Sequence, residues 1–163
     1  MAKRRRRTNA NVPAKGRLRD MADMLWSIAV REDWRNRCAV CGATKCEAHH
    51  IVPRQHEALR YDLRNGIALC ARHHKFDADI SPHQNAAGWI KWLQDNYHIR
   101  HEWLIGVIND NSHKAFNGTK NSVYYIGVIQ LMREWVSNED FIRVVGVKFT
   151  KFMKGEINTR DFL

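Results

Sequence analysis

Apolar residues recur at helical spacing near the start of the chain. From about Gly16 to Arg31 they fall every three or four positions, at Leu18, Met21, Met24/Leu25, Ile28 and Ala29. That period predicts an amphipathic helix. The following stretch, 33–80, is rich in Cys, His and charged residues and offers only two short strand-like segments, Cys46–Val52 and Gly66–Cys70. The pattern therefore predicts a leading helix followed by a region with short strands.

The remainder of the chain, residues 81–163, has a mainly helical pattern. Ser81 followed by Pro82 is typical of a helix start, because serine caps a first turn and proline is tolerated there. Residues 109–121 are polar and predict a loop, whereas Val123–Val136 returns to helical spacing. The last segment, 138–155, combines helical spacing with β-branched residues, and we favour a helix. The predicted class is α+β with a mainly helical C-terminal region.

The net charge of +10 is concentrated at one end of the chain. The first twenty residues hold eight basic side chains and one acidic side chain. We expect residues 1–15 to form a disordered basic arm that contacts a polyanion, either nucleic acid or an acidic membrane surface. A nuclear localisation signal has the same composition. The residues expected to contact phosphates are Lys3, Arg4, Arg5, Arg6 and Arg7.

Composition and hydropathy exclude several classes of protein. The chain is 44% hydrophobic with six Trp, which is enough to build a core. Its apolar stretches fall far short of the roughly 20 residues that cross a bilayer, and no apolar segment of a signal peptide follows the basic start. We therefore expect a cytoplasmic, intracellular protein, in which cysteines are metal ligands or free thiols rather than disulfides.

Two pairs of residues with equal inner spacing predict a metal site. Cys38 and Cys41 are separated by two residues, and after a further 28 residues Cys70 and His73 repeat that spacing. Three thiolates and one imidazole make a closed tetrahedral set for a structural Zn²⁺. Cys46 is an alternative fourth ligand in place of His73, and buried free thiols are the alternative to a zinc site.

Five of the nine histidines lie between positions 49 and 74, which is where we look for chemistry. His49 and His50 are adjacent on a predicted strand, so their side chains point to opposite faces. One of them can then bind an ion while the other faces a substrate. Asn65 and His74 follow, and His74 directly succeeds the predicted zinc ligand His73. Spacing alone does not decide which of the adjacent histidines is the ligand.

The order His50, Asn65, His74 between two zinc-knuckle pairs resembles that of the HNH endonucleases. Glu47–Pro53 is similar to the first motif strand of that family, and Asn65–His74 to its second strand and the entry to its helix. The resemblance covers about 38–75. It departs from the family at His73, where the second knuckle usually ends in cysteine. The fold implied is a small ββα-metal nuclease core, stapled by zinc and flanked by helices, with a nuclease domain over 16–80 and a helical accessory region over 81–163.

The resemblance also implies a function, namely metal-dependent hydrolysis of phosphodiester bonds in double-stranded DNA with 5′-phosphate and 3′-hydroxyl products. It makes His50 the general base, Asn65 the residue that fixes the loop and orients His50, and His49 and His74 ligands of a catalytic divalent ion. Imidazole ligands suit several transition ions, so we expect a permissive preference, with Mg²⁺ or Mn²⁺ as the physiological ion. Arg54 and Arg72 are expected to grip DNA near the cut. Compact nucleases of this type with a basic arm are typical of phages and mobile elements.

The alternative function is that of a non-catalytic zinc module that binds nucleic acid. The resemblance favours double-stranded DNA over a membrane surface as the partner, and we expect no membrane partner and no small-molecule cofactor. The sequence leaves open the oligomeric state, the recognition site and the choice between nicking and double-strand cleavage. Asp77 is expected to be a surface charge rather than a ligand. The remaining histidines have no partners at ligand spacing and are expected to be ordinary solvated side chains; they are His56, His83, His98, His101 and His113.

Overall fold

The computed structural model of the protein describes residues 13–114 and 118–156. The predicted arm residues Lys3–Arg7 lie outside the described residues. The two strands are β1 (Cys46–His50) and β2 (Gly66–Cys70). The helices are α1 (Lys15–Asp33), α2 (Ala86–Asn96), α3 (His98–Asn109), α4 (Ser122–Met132), α5 (Asn138–Val145) and α6 (Val147–Met153). The predicted α+β class is confirmed, and helices account for most of the described part of 81–163.

The strands form an antiparallel hairpin sheet whose register pairs Cys46 with Cys70 and His50 with Gly66. The predicted first strand extended to Val52, but β1 ends at His50. Ile51 and Val52 leave the ladder because their N–H groups donate instead to the main chain and side chain of Asn65. All residues of β2 except Cys70 are buried, as expected for the inner strand of a small core.

Gly66 allows β2 to approach α1 closely. A Cβ atom on this residue would lie 2.2 Å from Val30 Cγ2 and 3.2 Å from Trp26 Cζ2. Such separations are far shorter than van der Waals contact, so only glycine fits here without a shift of the helix. The asparagine–glycine pair at 65–66 therefore marks a close approach of two elements as well as the start of a strand.

The predicted helix start at Ser81–Pro82 is wrong. Helix α2 begins four residues later, at Ala86, and its cap is Asn85, whose side chain accepts a hydrogen bond of 2.9 Å from the Gly88 N–H. The Ser81 hydroxyl does not cap a helix because it donates to the carbonyl oxygen of His74 at 2.8 Å. Residues 81–85 instead form turns that fold back on the segment after β2.

The last segment is helical, as favoured from the sequence, but it is divided. Ser137 caps α5 by accepting from the Asp140 N–H, and the helix ends at Gly146. Gly146 has φ 83°, a conformation that glycine adopts without steric cost and that interrupts a helix. Helix α6 begins directly after it. The β-branched residues of this segment are accommodated in two short helices rather than in a strand.

The chain divides into two compact units, and the division falls after Leu25 within α1. One unit comprises residues 26–118 and contains the sheet, α2 and α3. Its core is a cluster of buried side chains: Cys38, Val52, Leu59, Ile67, Leu69, Trp89, Leu93 and Leu104. The other comprises the described residues up to 25 and from 119 onward. Its described part also has large, fully buried side chains, which include Leu18, Leu25, Tyr125, Ile129, Met132 and Phe141.

The domain limits proposed from the sequence stay a prediction. Across the residues that the structure describes, no helix combines the length and the hydropathy that a bilayer crossing requires. The four cysteines are free thiols and form no disulfide.

Candidate functional site

The two predicted knuckle pairs come together in space. The ligand atoms of Cys38, Cys41, Cys70 and His73 all lie within 4.8 Å of one another. Cys41 Sγ is 3.9 Å from Cys70 Sγ, and His73 Nδ1 is 3.6 Å from Cys38 Sγ and 3.2 Å from Cys70 Sγ. In a tetrahedral zinc site with ordinary bond lengths, two sulfurs are about 3.8 Å apart and a sulfur and a nitrogen about 3.6 Å apart. These four side chains can therefore hold a structural zinc.

His73, and not Cys46, is the fourth member of this group. Cys46 is the first residue of β1, where it pairs with Cys70 in the ladder. The turn that carries Cys38 and Cys41 is closed by Gly42, which has φ 74°, and is tied to β2 by a hydrogen bond of 2.8 Å from the Ala39 N–H to the Ala68 carbonyl. His73 stands where the family usually has cysteine, and the set of four ligands is still complete.

The environment of Cys38 favours the thiolate that a metal requires. Burial raises the pKa of the Cys38 thiol, but hydrogen bonds from backbone groups of Cys70, Cys41 and Val40 and from the His73 ring outweigh burial. Together they bring the pKa to about 6. The thiolate is the form of cysteine that binds metal.

Asp77 lies on the zinc side of the turn that follows β2. Its carboxylate is 3.9 Å from His73 Nε2 and forms an ion pair of 3.3 Å with Arg72 Nε. It also accepts hydrogen bonds from the Asp79 and Ile80 N–H groups, which lower the pKa of the carboxyl. Asp77 therefore lies beside the ring nitrogen of His73 that does not face the cysteines. It is not a member of either group of possible metal ligands.

A second group of possible ligands consists of His49, His74 and His83, again within 4.8 Å of one another. His49 Nδ1 is 2.9 Å from His74 Nε2, and His83 Nε2 is 3.2 Å from the same His74 atom. The expectation that His83 has no partner is wrong. The only hint in the sequence is its position on a turn-forming segment nine residues after His74, and spacing at that distance predicts no contact.

Glu47 sets the orientation of the His74 ring. Its Oε2 atom accepts from His74 Nδ1 and from Lys75 Nζ, both at 2.9 Å. These two hydrogen bonds lower the pKa of the Glu47 carboxyl. Because His74 Nδ1 carries the donated proton, the lone pair of the neutral ring is on Nε2, which faces His49 and His83. Glu47 and His49 share this face of β1, since they are two residues apart on a strand.

The His49 and His74 imidazoles are held in their neutral form. Burial, and to a lesser degree the charged forms of His74, His83 and His50, together lower the pKa of His49 to about 3. Burial likewise lowers the pKa of His74, although its hydrogen bond to Glu47 opposes this shift. Neutral imidazole is the form that binds metal ions, so these rings are available as ligands at neutral pH.

His50 lies on the other face of β1 and in a different environment. Its ring stacks on the indole of Trp26 with ring centroids 3.7 Å apart and planes inclined by 11°. His50 Nε2 is 2.9 Å from the carbonyl oxygen of Arg60, which can only accept. Nε2 therefore carries the proton, and Nδ1 of the neutral ring has a lone pair.

Asn65 is fully buried and holds the loop between the strands. Its Oδ1 accepts from the Val52 N–H at 2.7 Å, and its Nδ2 donates to the carbonyls of Val52 and Leu59, both at 3.0 Å. These bonds fix the loop, and Arg60, whose carbonyl meets His50, follows Leu59 directly. The structure thus links Asn65 to His50 through the loop backbone, whereas the sequence suggested a hydrogen bond that orients the ring.

The predicted nucleic-acid contacts fall in two described places. Arg54 lies exposed in the loop between the strands, and Arg72 begins the short π-helical turn Arg72–Phe76 with a side chain that is 77% exposed. The same turn ends in Phe76, which is 72% exposed although apolar. Phe76 was not singled out from the sequence, because hydropathy alone predicts burial for phenylalanine.

Comparison with known proteins identifies the segment that contains both clusters. Residues 38–78 match a family model described as HNH endonuclease. These residues form an HNH domain. The match includes His49, His50, Asn65 and His74 but ends before His83. No curated protein and no solved structure matches the chain significantly. An HNH domain implies a nuclease-type function on a nucleic-acid substrate.

Proposed function

We propose that the protein is a metal-dependent endonuclease that hydrolyses phosphodiester bonds of double-stranded DNA and leaves 5′-phosphate and 3′-hydroxyl ends. The observation that carries the proposal is that the adjacent residues His49 and His50 lie on opposite faces of β1 in different environments. His50 presents a lone pair on one face, and His49 joins His74 in a group of neutral imidazoles on the other. A general base and a metal site at adjacent positions are what hydrolysis by one ion and one base requires.

His50 is the general base in this proposal. Its Nδ1 lone pair accepts a proton from the attacking water, while Nε2–H remains bonded to the Arg60 carbonyl. The developing positive charge on the ring strengthens that hydrogen bond, because bonds from charged donors are stronger than bonds from neutral ones. The stacked Trp26 indole restrains the ring plane, so the lone pair keeps its direction during the transfer.

His49 and His74 would hold the catalytic divalent ion, and Cys38, Cys41, Cys70 and His73 the structural zinc. When bound, the catalytic ion supplies Lewis-acid stabilisation of charge on the scissile phosphate and on the departing oxygen. Glu47 fixes the tautomer of His74 so that its Nε2 lone pair would be available to the ion, a supporting role that carboxylates commonly have at metal-binding histidines. Asn65 keeps the loop that carries the Arg60 carbonyl in place.

Contact with the nucleic acid is assigned to basic and aromatic side chains. Arg72 and Arg54 supply positive charge for phosphates, and the predicted arm Lys3–Arg7 supplies further charge without sequence information. Phe76, on the same turn as His74, offers an aromatic face to a base or sugar. A cationic and aromatic surface next to a metal site suits a polynucleotide better than a small phosphate ester.

The test is cleavage of supercoiled plasmid by the full chain. We expect conversion to nicked or linear DNA with Mg²⁺, Mn²⁺ or Ni²⁺ and none with EDTA. Purified nicks should be resealed by DNA ligase without prior phosphorylation, because 5′-phosphate and 3′-hydroxyl ends are ligatable. Matched duplex DNA, single-stranded DNA and RNA of one sequence define the substrate class. Absence of cleavage with every ion, together with tight and salt-sensitive binding, would refute the enzyme and favour a non-catalytic binding module.

A further inference from the structure

The third histidine of the metal group comes from outside the residues that match the HNH family model. His83 lies on the turn segment 81–85, whereas the match ends at residue 78. Its Nε2 atom nevertheless lies 3.2 Å from His74 Nε2, within the group that includes His49. The position is therefore a feature of this chain that the family match does not supply.

We infer that His83 is a third protein ligand of the catalytic ion, and that the resulting site of three imidazoles selects a transition ion such as Ni²⁺, Co²⁺ or Zn²⁺ over Mg²⁺. This inference rests on the proposed function. It replaces the expectation of two imidazole ligands and of Mg²⁺ or Mn²⁺ as the physiological ion with a narrower class of metal.

The distances between the ring nitrogens agree with shared coordination. Metal–imidazole bonds are about 2.0–2.1 Å long, so two such nitrogens are about 2.9 Å apart at a right angle and about 3.3 Å apart in a tetrahedral arrangement. The pair His49 Nδ1–His74 Nε2 is separated by 2.9 Å and the pair His83 Nε2–His74 Nε2 by 3.2 Å. Both separations are those of neighbouring ligands around one ion.

Hydrogen bonding among the three rings accounts less well for this arrangement. His74 donates its Nδ1 proton to Glu47, which leaves one lone pair on Nε2. Two nitrogens, from His49 and His83, approach that same atom. The single in-plane lone pair on His74 Nε2 can accept one good hydrogen bond but not two. A metal ion, in contrast, would accept a lone pair from each of the three rings.

Ser81 places His83 by linking it to His74. The Ser81 side chain is fully buried, and its hydroxyl donates to the His74 carbonyl at 2.8 Å and accepts from the His83 N–H at 3.2 Å. Gln84 Nε2 adds a bond of 2.9 Å to the Lys75 carbonyl. The turn 81–85 is therefore fixed to the backbone of another ligand-bearing segment, which makes Ser81 a positioning residue.

The class of ion follows from the donor atoms. Mg²⁺ prefers oxygen ligands and keeps most of its water, while neutral imidazole suits late first-row ions. Three imidazoles leave one open position in tetrahedral geometry or three in octahedral geometry, which is enough for water and phosphate oxygens. His83 is exposed, so the open positions are accessible to a substrate.

The test is calorimetric titration of the full, zinc-loaded chain with NiCl₂ and with MgCl₂, with the zinc content measured before and after. Wild type should bind one Ni²⁺ much more tightly than Mg²⁺. His83→Ala should weaken Ni²⁺ binding on the order of 100-fold, and the supporting change Ser81→Ala about 10-fold. His98→Ala, an exposed histidine on α3, is the matched control and should bind Ni²⁺ as wild type does.

A carboxylate at position 83 tests the class of ion directly. His83→Asp should lose affinity for Ni²⁺ and gain affinity for Mg²⁺ or Mn²⁺, because an oxygen donor replaces a nitrogen donor. Unchanged Ni²⁺ affinity in both folded, zinc-replete variants of His83 would overturn the third ligand. Equal affinity of wild type for Mg²⁺ and Ni²⁺ would overturn the selection. His50→Ala should bind Ni²⁺ normally, so loss of cleavage in that variant reports on the proposed function and not on this inference.

Discussion

The side chain of Asn65 supports the site through the fold, and its removal should be measured first as a loss of stability. In Asn65→Ala, three buried backbone groups lose their partner: the Val52 N–H, the Val52 carbonyl and the Leu59 carbonyl. Each buried polar group left unsatisfied costs about 1–3 kcal/mol, and carbonyls fall at the lower end. We therefore expect the free energy of unfolding to fall by about 3–5 kcal/mol.

That loss is a large part of the 5–15 kcal/mol that is typical of a folded protein. For a chain of this length it corresponds to a fall in melting temperature of roughly 10 °C. The assay is urea unfolding followed by tryptophan fluorescence, since Trp26 and Trp34 donate to the carbonyls of Asp62 and Gly66 on either side of this residue. Asn96→Ala is the matched control. Its amide is exposed and donates to the Trp92 carbonyl, so we expect a change within about 0.5 kcal/mol.

The opposite pattern would refute this reasoning. If Asn65→Ala unfolded at the same urea concentration as wild type and yet lost cleavage, Asn65 would act on the reacting groups rather than on the loop. Asn65→Asp gives a sharper version of the test. Its remaining oxygens accept from the Val52 N–H but face two carbonyls, so the variant should be destabilised although its shape is conserved.

Three further predictions concern the groups around the two clusters. Glu47→Gln should weaken Ni²⁺ binding about 10-fold, because the His74 ring is held less firmly. Glu102→Gln on α3 is the control. Equal Ni²⁺ affinities of the two variants by calorimetry would contradict the positioning role of Glu47. Cys41→Ser should lose zinc by elemental analysis and lower the melting temperature, whereas Cys46→Ser should retain the metal, and a zinc-replete Cys41→Ser would show that the knuckle is wrongly assigned. Phe76→Ala should raise the KM for DNA roughly tenfold with kcat retained. Ile99→Ala, whose side chain is equally exposed at 72%, is the control and should leave the KM unchanged. Identical kinetics of the two variants would remove Phe76 from the substrate surface.

The sequence was informative where the signal is local. The spacing of Cys38 and Cys41 repeats at Cys70 and His73, and a closed ligand set needs only that repetition and a hairpin between the pairs. The apolar period of α1 likewise fixed that helix within two residues at either end. The opposite orientation of two adjacent histidines follows from strand geometry alone.

Contacts between distant segments were beyond sequence reasoning. Ser81 has every local property of a helix cap, but its hydroxyl bonds to His74, so tertiary contact overrode propensity. That same bond places His83 in the metal group, which explains why both predictions were wrong together. The sequence placed Glu47 in the first motif strand but predicted no role for it, because its role depends on the His74 ring, which is 27 residues away.

The turn after β2 joins the two clusters physically. His73 and His74 are adjacent, and the first faces the cysteines while the second faces His49 and His83. A structural zinc bound through His73 would therefore restrain the neighbouring ligand of the catalytic ion. Both residues belong to the short π-helical turn Arg72–Phe76 that follows the second strand.

The most direct test of the central claim is the single-turnover rate of plasmid cleavage by His50→Ala. The variant should fold, retain zinc and bind Ni²⁺ as wild type does, but its cleavage rate should fall by about 10²–10⁴, the usual contribution of a general base. His98→Ala, measured under the same conditions, should cleave at the wild-type rate. A folded and metal-loaded His50→Ala protein that cleaves as fast as wild type would contradict the account.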